Sequence, residues 1–389
     1  MSKVLDVLLQ FLSSFGFACI LLFLLLVLTF FGTLQQVDYG IYDVQKKYFE
    51  SLFVLDDTLG FPLPLPGAAL VLVLLSVNLI LGGILRPRFS WSRTGVLVAH
   101  LGIVFMLTGN LVKYLFATEG NLKIYEQDVG TEYRSGEHWE IAVYQAGGGM
   151  PRREYLIPEG DFLGLERGES VTFRGEELPF DITLHDPVAN ALPRQADPKT
   201  VPAHLIVDGV TLRSIPLAKE SEQNAPGFYV TVTDRSTGAR QHDILWGAQA
   251  YPPTFLAGGA SWAIDLRRQC WPLPFTVRLD KFTHEIHPRS GNKSKAFESD
   301  VTMIDSGIER PVKISMNAPL RHKGFTLFQS SYGPQDPRSN EPVYSVFAVV
   351  NDPAEDMPLY ACIVITAGLL VHFTQRLTRY IRTESKRRV

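Results

Sequence analysis

The sequence predicts a membrane α-helical protein with four transmembrane helices and one large all-β domain, sandwich-like or barrel-like. Three observations support this fold class: four long apolar runs, a separate stretch of soluble-protein composition, and short alternating segments within that stretch. Residues 1–116 and 357–389 hold the apolar runs, and residues 117–356 form the soluble stretch. The chain is therefore predicted to have a membrane part in two pieces with an extracytoplasmic domain between them.

The four apolar runs have the length of transmembrane helices, since about 20 residues cross a hydrocarbon core of roughly 30 Å. The first run is longer than the apolar core of a signal peptide, and no small-residue cleavage site follows it. We therefore expect it to remain as a membrane anchor. The predicted spans are about 14–34, 66–85, 94–116 and 357–375.

Basic residues in the short loops predict the orientation, because such loops stay in the cytoplasm. Arg86, Arg88 and Arg93 lie between spans two and three, and a basic tail follows span four. The loop after span one holds two lysines among five acidic residues and is predicted to lie outside. Both termini are then predicted to be cytoplasmic, and residues 117–356 to lie outside, on the outer face of a bacterial-type membrane.

Charge is divided along the chain in the same way. Residues 117–356 hold 24 of the 37 Lys and Arg and 33 of the 40 Asp and Glu, a net charge of −9 (24 minus 33). Binding of nucleic acid needs a basic surface, so the composition argues against that function class. A solvated acidic surface is the simpler interpretation, and a basic partner protein is the alternative.

Alternation of apolar and polar residues predicts antiparallel strands throughout residues 117–356. The segments 275–282 and 310–317 each place their apolar residues on one face, and 229–247 has the pattern of a hairpin. An all-β sandwich or barrel accounts for this pattern.

Apolar residues also recur at helical spacing from Ile41 to Leu55, in the loop after span one. This pattern predicts a short amphipathic helix. The helix either lies on the outer leaflet or packs beneath the outer domain, and the two interpretations have equal support.

Three cysteines are present, and none belongs to a C-x-x-C or C-x-x-C-H motif. The chain is therefore neither a thioredoxin-like oxidoreductase nor a c-type cytochrome. Cys19 and Cys362 lie in apolar runs, so Cys270 stands alone in the soluble stretch, which has no internal disulfide. The sequence leaves open whether Cys270 is reactive or buried.

An ionisable residue inside a span is costly and is usually functional. His100 lies in span three, and it projects away from a stripe of small residues that lets another helix approach closely. One interpretation is a hydrogen bond to Asn78 of span two. The other is a metal or haem ligand, because neutral imidazole is a common ligand. His372, near the end of span four, is predicted to be an ordinary interfacial histidine.

The remaining motifs are weak. His284 and His287 flank a glutamate but do not form H-E-x-x-H, and alternate residues of a strand point apart. No metal site is predicted there. The sequence also shows no Gly-rich phosphate loop, nucleophile elbow or paired-carboxylate motif, so no residue is predicted to be catalytic.

Six stretches, taken together, carry a resemblance to a known family. They are FLSSFGFACILLFLLLVLTFFGT (11–33), YFESLFVLDDTLGFPLPLPGAALVLVLLSVNLI (48–80), EGNLKIYEQDVG (119–130), SDVTMID (299–305), ISMNAPLRHKGFTLFQSSYG (314–333) and VVNDPAEDMPLY (349–360). In their order and topology they resemble the ResB family, also called CcsB, of the system II pathway of cytochrome c biogenesis. The stretch from about 135 to 270 carries no resemblance.

The resemblance implies a function in haem transport. Proteins of this family work with CcsA, a membrane protein with a tryptophan-rich haem-handling loop, to attach haem b to the C-x-x-C-H cysteines of apocytochrome c outside. It also implies that His100, in the third span, is an axial ligand of the haem iron. The five tryptophans of this chain are scattered, so the chain resembles the ResB half alone. It would then be a non-catalytic subunit of a holocytochrome c synthase, or haem lyase, complex.

Two other function classes compete with haem delivery. A ResB-like membrane scaffold or assembly factor would share the fold but would not handle haem. A self-contained transporter is disfavoured, because the four spans offer only one deep polar group. The presence of bound haem separates the first two classes.

Overall fold

A computed structural model describes residues 2–58, 60–86, 90–147, 153–286, 294–334 and 340–387. Two residues named in the sequence analysis, Arg88 and His287, lie outside the described residues. The chain divides into two compact units, residues 1–118 with 350–389 and residues 119–349. We call them the membrane unit and the β domain.

Four helices of the membrane unit are long and apolar enough to cross a membrane, as the fold class predicted. They are Phe15–Gln35, Ala68–Leu85, Trp91–Phe116 and Met357–Arg387, called spans one to four below. The α-helices of the unit are α1 Ser2–Leu12, α2 Phe15–Gln35, α3 Ile41–Val44, α4 Ala68–Asn78, α5 Thr94–Phe116 and α6 Met357–Arg387. Span two continues α4 as a π-helix over Leu79–Leu85, and span three begins with a 3₁₀ turn over Trp91–Arg93.

Span four differs from the run recognised in the sequence, because its helix does not end near residue 375. It continues to Arg387, a length of 31 residues, or roughly 46 Å at 1.5 Å per residue. Arginines and lysines are good helix formers, so the basic tail extends the helix instead of forming a separate segment.

The segment after span one is helical over only part of the predicted amphipathic helix. After α3 it forms a π-helix, Gln45–Glu50, and then a hairpin of β1 Phe53–Asp56 and β2 Leu63–Pro66. Val44 and Tyr48 are buried in one apolar cluster with residues of spans one and two. The helix therefore packs on the spans, whereas Leu55, on the hairpin, is exposed.

The β domain consists of antiparallel sheets. The strands are β3 Thr118–Tyr125, β4 Val129–Gln145, β5 Tyr155–Pro158, β6 Ser170–Phe173, β7 Phe180–Val188, β8 Ala191–Gln195, β9 Val210–Ser214, β10 Gly227–Asp234, β11 Arg240–Trp246, β12 Thr254–Ala257, β13 Ala260–Ile286, β14 Ser294–Asp305, β15 Ile308–Ser315, β16 Leu320–His322, β17 Phe325–Gly333 and β18 Tyr344–Asn351. The longest sheet has the order β15-β14-β13-β4-β3-β18-β17-β16, with β12 paired to β13 and β5 paired to β4. A four-stranded sheet has the order β11-β10-β7-β6, and β8 pairs with β9.

The two largest apolar cores of the β domain both contain residues of the long strands β4 and β13. The first core lies between these strands and the four-stranded sheet, with Ile141, Ile182, Val230 and Ile264 fully buried. The second core lies inside the curved sheet formed by β13 to β18 with β3. There β15 also contacts β16 and β17, so the sheet nearly closes into a barrel. The predicted all-β fold is confirmed.

Two details of the predicted strands can be compared directly. The hairpin predicted over 229–247 is formed by β10 and β11. In the segment 310–317 the predicted apolar face is shorter than expected. Ile314 is buried, but Met316 lies beyond the end of β15 and is exposed.

Candidate functional site

Span three presents different faces to two neighbouring helices. The stripe of small residues recognised in the sequence packs against span four, and Gly95 and Ala99 are buried there. A methyl group added at Gly95 would stand 2.4 Å from the backbone nitrogen of His372, so the two helix backbones are in direct contact. Met106, which falls on the same face of the helix, is instead exposed.

His100 lies on a different side of span three and faces span two. Its imidazole is half-buried, and its Nδ1 is 3.2 Å from the carbonyl oxygen of Gly83. A methyl group at Gly83 would approach this nitrogen to 2.6 Å. The glycine therefore provides the space in which the imidazole meets the backbone.

The hydrogen bond to Gly83 determines which ring nitrogen of His100 carries the proton. A carbonyl oxygen only accepts, so Nδ1 must be the donor, and the neutral ring then has its lone pair on Nε2. The Gly83 carbonyl is available because it belongs to the last turn of span two, where helix carbonyls lack partners within the helix. In the described part of the chain, Nε2 has no hydrogen-bond partner.

This arrangement is typical of a metal-binding imidazole. Histidine ligands usually donate their other N–H to a carbonyl or carboxylate, which fixes the ring and raises its basicity. One such imidazole supplies one axial position to an iron porphyrin. The following turns of span three are apolar, and Ile103, Val104 and Leu107 are partly buried there. A flat apolar ligand therefore fits the chemistry of this part of the helix.

Asn78 is not the partner of His100, so the hydrogen bond proposed between them is wrong. The Asn78 amide instead donates to the carbonyl oxygens of Leu12 and Ser14, at 2.6 and 3.0 Å. Those carbonyls lie at the junction of α1 and span one, where the helix is interrupted and carbonyls need donors. Asn78 therefore holds this junction against span two.

His372 lies elsewhere in the membrane unit, beside the backbone of Gly95 in span three. Its Nδ1 is buried and has no hydrogen-bond partner among the described residues. Gly95 and His100 are five residues apart, about 140° around the helix. The two histidines therefore do not point to the same side of span three.

Of the two histidines of the 284–287 motif, His284 is among the described residues and has an aromatic neighbour. His284 lies against Tyr332, with ring centroids 4.8 Å apart and Nε2 3.4 Å from the tyrosine hydroxyl. No group of three or more His, Cys, Asp or Glu suited to a metal ion occurs among the described residues.

Cys270 is a half-buried thiol in β13, next to a buried ion pair. Burial raises the pKa of the Cys270 thiol to about 11, and the thiol donates to the carbonyl oxygen of Arg268 at 3.2 Å. The question left open by the sequence is thereby answered. This thiol is neutral near pH 7 and is a poor nucleophile.

Sequence reasoning singled out His100 as a candidate but did not identify Gly83 as its hydrogen-bond partner. The available signal was the Gly82-Gly83 pair near the end of span two, since glycine in a span often marks close approach of a second helix. The π-helical turn that contains Gly83 has no comparable signature, although such turns are frequent at functional sites.

Comparison with known families gives one match. Residues 258–341 match the ResB-like family. The matched region covers β13 to β17 of the β domain and contains two of the six stretches noted in the sequence, 299–305 and 314–333. His100 and the spans lie outside it. A search of curated proteins finds no match.

The fold agrees with this match, since four apolar helices accompany a β-rich domain whose main sheet is nearly closed. The match therefore supports assignment of the chain to the ResB-like family, and with it a role as a membrane subunit related to cytochrome c biogenesis.

Proposed function

We propose that this protein is the ResB-type subunit of a system II cytochrome c maturation complex. In this proposal it assists the passage of haem b across the bacterial inner membrane and its attachment to apocytochrome c in the periplasm. Its partner is a CcsA-like membrane protein, and His100 is an axial ligand of the haem iron during transit. The match of residues 258–341 to the ResB-like family supports the pathway, and the environment of His100 supports the ligand.

The observation that carries the proposal is the hydrogen bond between His100 Nδ1 and the Gly83 carbonyl. It holds the imidazole in the tautomer whose Nε2 lone pair is free to bind iron. If His100 served only to stabilise the fold, its Nε2 would not need to be free on a half-buried apolar face. The role of His100 is therefore to bind and orient the cargo.

A second axial ligand has to come from outside the described spans. The other span histidine, His372, is on a different side of span three, beside Gly95. A partner protein that supplies an imidazole would complete a bis-histidine site, which is stable for transit. This requirement supports a membrane partner of the CcsA kind.

In this proposal the chain positions the haem and the acceptor protein, and it does not supply the reacting groups. The Cys270 thiol is protonated at neutral pH, because burial raises its pKa to about 11. The thiols that react belong to the C-x-x-C-H motif of the apocytochrome. In this proposal the protein is a non-catalytic subunit, and its β domain presents the acceptor on the periplasmic side.

The visible spectrum of the purified complex tests this function. The chain would be tagged, purified with its membrane partner in mild detergent, and scanned for the Soret band of bound haem. We expect a Soret band in the wild type and in His372→Ala, and its loss in His100→Ala. Added imidazole should restore the band to His100→Ala, because free imidazole replaces the missing ligand.

Two results would count against the proposal. A full haem spectrum in His100→Ala would remove His100 from the site. A wild-type complex that retains its partner but never contains haem would favour the scaffold or assembly-factor function. Yield and thermal stability of each variant show whether loss of haem reflects loss of the fold.

A further inference from the structure

A buried polar cluster lies in the membrane unit, where the segment after span one folds against spans one and two. Its members are Gln35, at the end of span one, and Tyr48, Asp56 and Thr58 of the following segment. Tyr48 and Asp56 are 0 % exposed, and Gln35 is 8 % exposed. We call these four residues the Asp56 cluster.

The Asp56 carboxylate accepts three hydrogen bonds on one oxygen. The hydroxyls of Tyr48 and Thr58 each donate to Oδ1 at 2.6 Å, and the Thr58 backbone N–H donates at 3.3 Å. Hydroxyl-to-oxygen distances of this length are typical of a charged acceptor. The geometry therefore describes an ionised carboxylate.

The electrostatics of the cluster agree with an ionised Asp56. Burial by itself raises the pKa of Asp56, but the hydrogen bonds from Thr58 and Tyr48 outweigh it and hold the pKa below its usual value. Burial and Asp56 together raise the pKa of Tyr48, so the phenol stays protonated and remains a donor.

Two buried oxygens of the cluster have no donor among the described residues: Asp56 Oδ2 and Gln35 Oε1. The Gln35 amide nitrogen donates to the Thr58 hydroxyl at 2.9 Å, which fixes the amide so that its oxygen is the free atom. Gln35 and Asp56 are thus joined through Thr58, and each has one unsatisfied acceptor.

The charge on Asp56 also lacks a bonded cation in the described part of the chain. The charge of Lys47 contributes to the lowered pKa of Asp56, but its Nζ lies over the Tyr48 ring, 5.2 Å from the centroid, and pairs with Asp57 at 3.8 Å. A buried charge is normally paired or bound to a metal ion, because desolvation without compensation is costly. The buried carboxylate and the two free acceptor oxygens therefore form a candidate cation site.

We propose that the Asp56 cluster binds a small monovalent cation, Na⁺, through Asp56 Oδ2 and Gln35 Oε1. Carboxylate and amide oxygens are hard ligands suited to such an ion. The single carboxylate matches a single positive charge, whereas Ca²⁺ sites usually gather several acidic ligands. Water could satisfy both oxygens but would bring no positive charge. The ion would fasten β1, through Asp56, to the end of span one at Gln35.

Thermal unfolding of the full chain in detergent tests this site. The protein is prepared in choline chloride, and NaCl then replaces choline at constant ionic strength. A ligand that binds only the folded state raises the unfolding temperature in a saturable way. We expect such a rise with Na⁺ in the wild type, and its loss in Asp56→Asn and Gln35→Leu. Asp57→Asn is the matched control, since the Asp57 side chain is 76 % exposed, and it should keep the rise.

Three results would overturn the proposal: no saturable rise with Na⁺, an equal rise in Asp56→Asn, or a saturable rise with CaCl₂ but none with NaCl. An unfolding temperature that does not depend on any cation would indicate that an ordered water occupies the cluster. If Asp56→Asn does not fold, equilibrium binding of radioactive Na⁺ to the wild type decides. One saturable site that choline does not displace supports the proposal, and its absence overturns it.

Discussion

The tautomer of the His100 imidazole is determined by Gly83, a residue without a side chain. Gly83 contributes only a carbonyl oxygen and free space, yet these orient the ring and direct the proton to Nδ1. A residue that positions a ligand in this way usually affects binding nearly as strongly as the ligand itself.

Substitution of Gly83 by alanine tests this positioning role. The added methyl group would stand 2.6 Å from His100 Nδ1, so the ring must move and the hydrogen bond weakens. If His100 binds haem, we expect about 10- to 100-fold weaker haem retention, measured as haem per protein after purification. Gly16→Ala is the control, because its added methyl group meets nothing within 4 Å. Equal haem content in Gly83→Ala and the wild type would contradict the positioning role.

The Cys270 thiol gives a prediction about pH. Burial raises its pKa to about 11, so the reactive thiolate is scarce at pH 8 and increases as the pH rises towards 11. In a Cys19→Ala, Cys362→Ala background, alkylation should be slow at pH 8 and accelerate steeply above pH 10. Rapid alkylation of the folded protein at pH 7 would show that the thiol is activated instead.

At the scale of elements, spans three and four are held together by backbone contact. The stripe of small residues in span three was visible in the sequence, and it predicted the close approach of another helix. The identity of the facing helix was not, because three other spans were available and the stripe carries no information about its partner. Gly368 of span four completes the contact, since a methyl group there would lie 2.5 Å from the Ala99 nitrogen.

Enlarging a residue of this stripe should separate the two helices. Gly95→Leu places a large side chain against the His372 backbone, and overpacking of this kind costs about 1–3 kcal/mol. We expect a lower unfolding temperature in detergent, whereas Gly16→Leu in span one should be close to neutral. Equal stability of Gly95→Leu and the wild type would refute this packing.

The segment after span one shows where local pattern stops being informative. Helical and strand periodicities coincide over a few residues, so the spacing from Ile41 to Leu55 fitted one helix. In the structure the helix ends at Glu50, and Val54 and Asp56 then alternate inward on a strand. The pairing with residues 63–66 is non-local. The burial of Asp56 could therefore not be predicted.

At the scale of the whole molecule, the apolar runs and the stretch of soluble-protein composition correspond to two compact units. Long apolar helices and alternating strands are strong local signals, so both were predictable. The choice between sandwich and barrel was not, because it depends on which distant strands pair. Here β3 pairs beside β18, from opposite ends of the β domain, and this curves the sheet towards closure.

The proposed orientation can be tested with single cysteines in a cysteine-free background. Ser214, in β9, and Thr383, near the end of span four, are both exposed. With the β domain periplasmic and the termini cytoplasmic, an impermeant maleimide on intact spheroplasts should label Ser214→Cys and spare Thr383→Cys. After lysis it should label both. The reverse pattern on intact spheroplasts would invert the topology.

The central claim is that His100 Nε2 binds the haem iron, and replacing the ligand atom tests it most directly. Electron paramagnetic resonance of the ferric complex distinguishes imidazole from thiolate ligation, because the axial ligand sets the electronic state of the iron. We predict that His100→Cys either gives a thiolate spectrum or loses haem, while His372→Cys keeps the wild-type spectrum. A wild-type spectrum at full haem content in His100→Cys would contradict the claim.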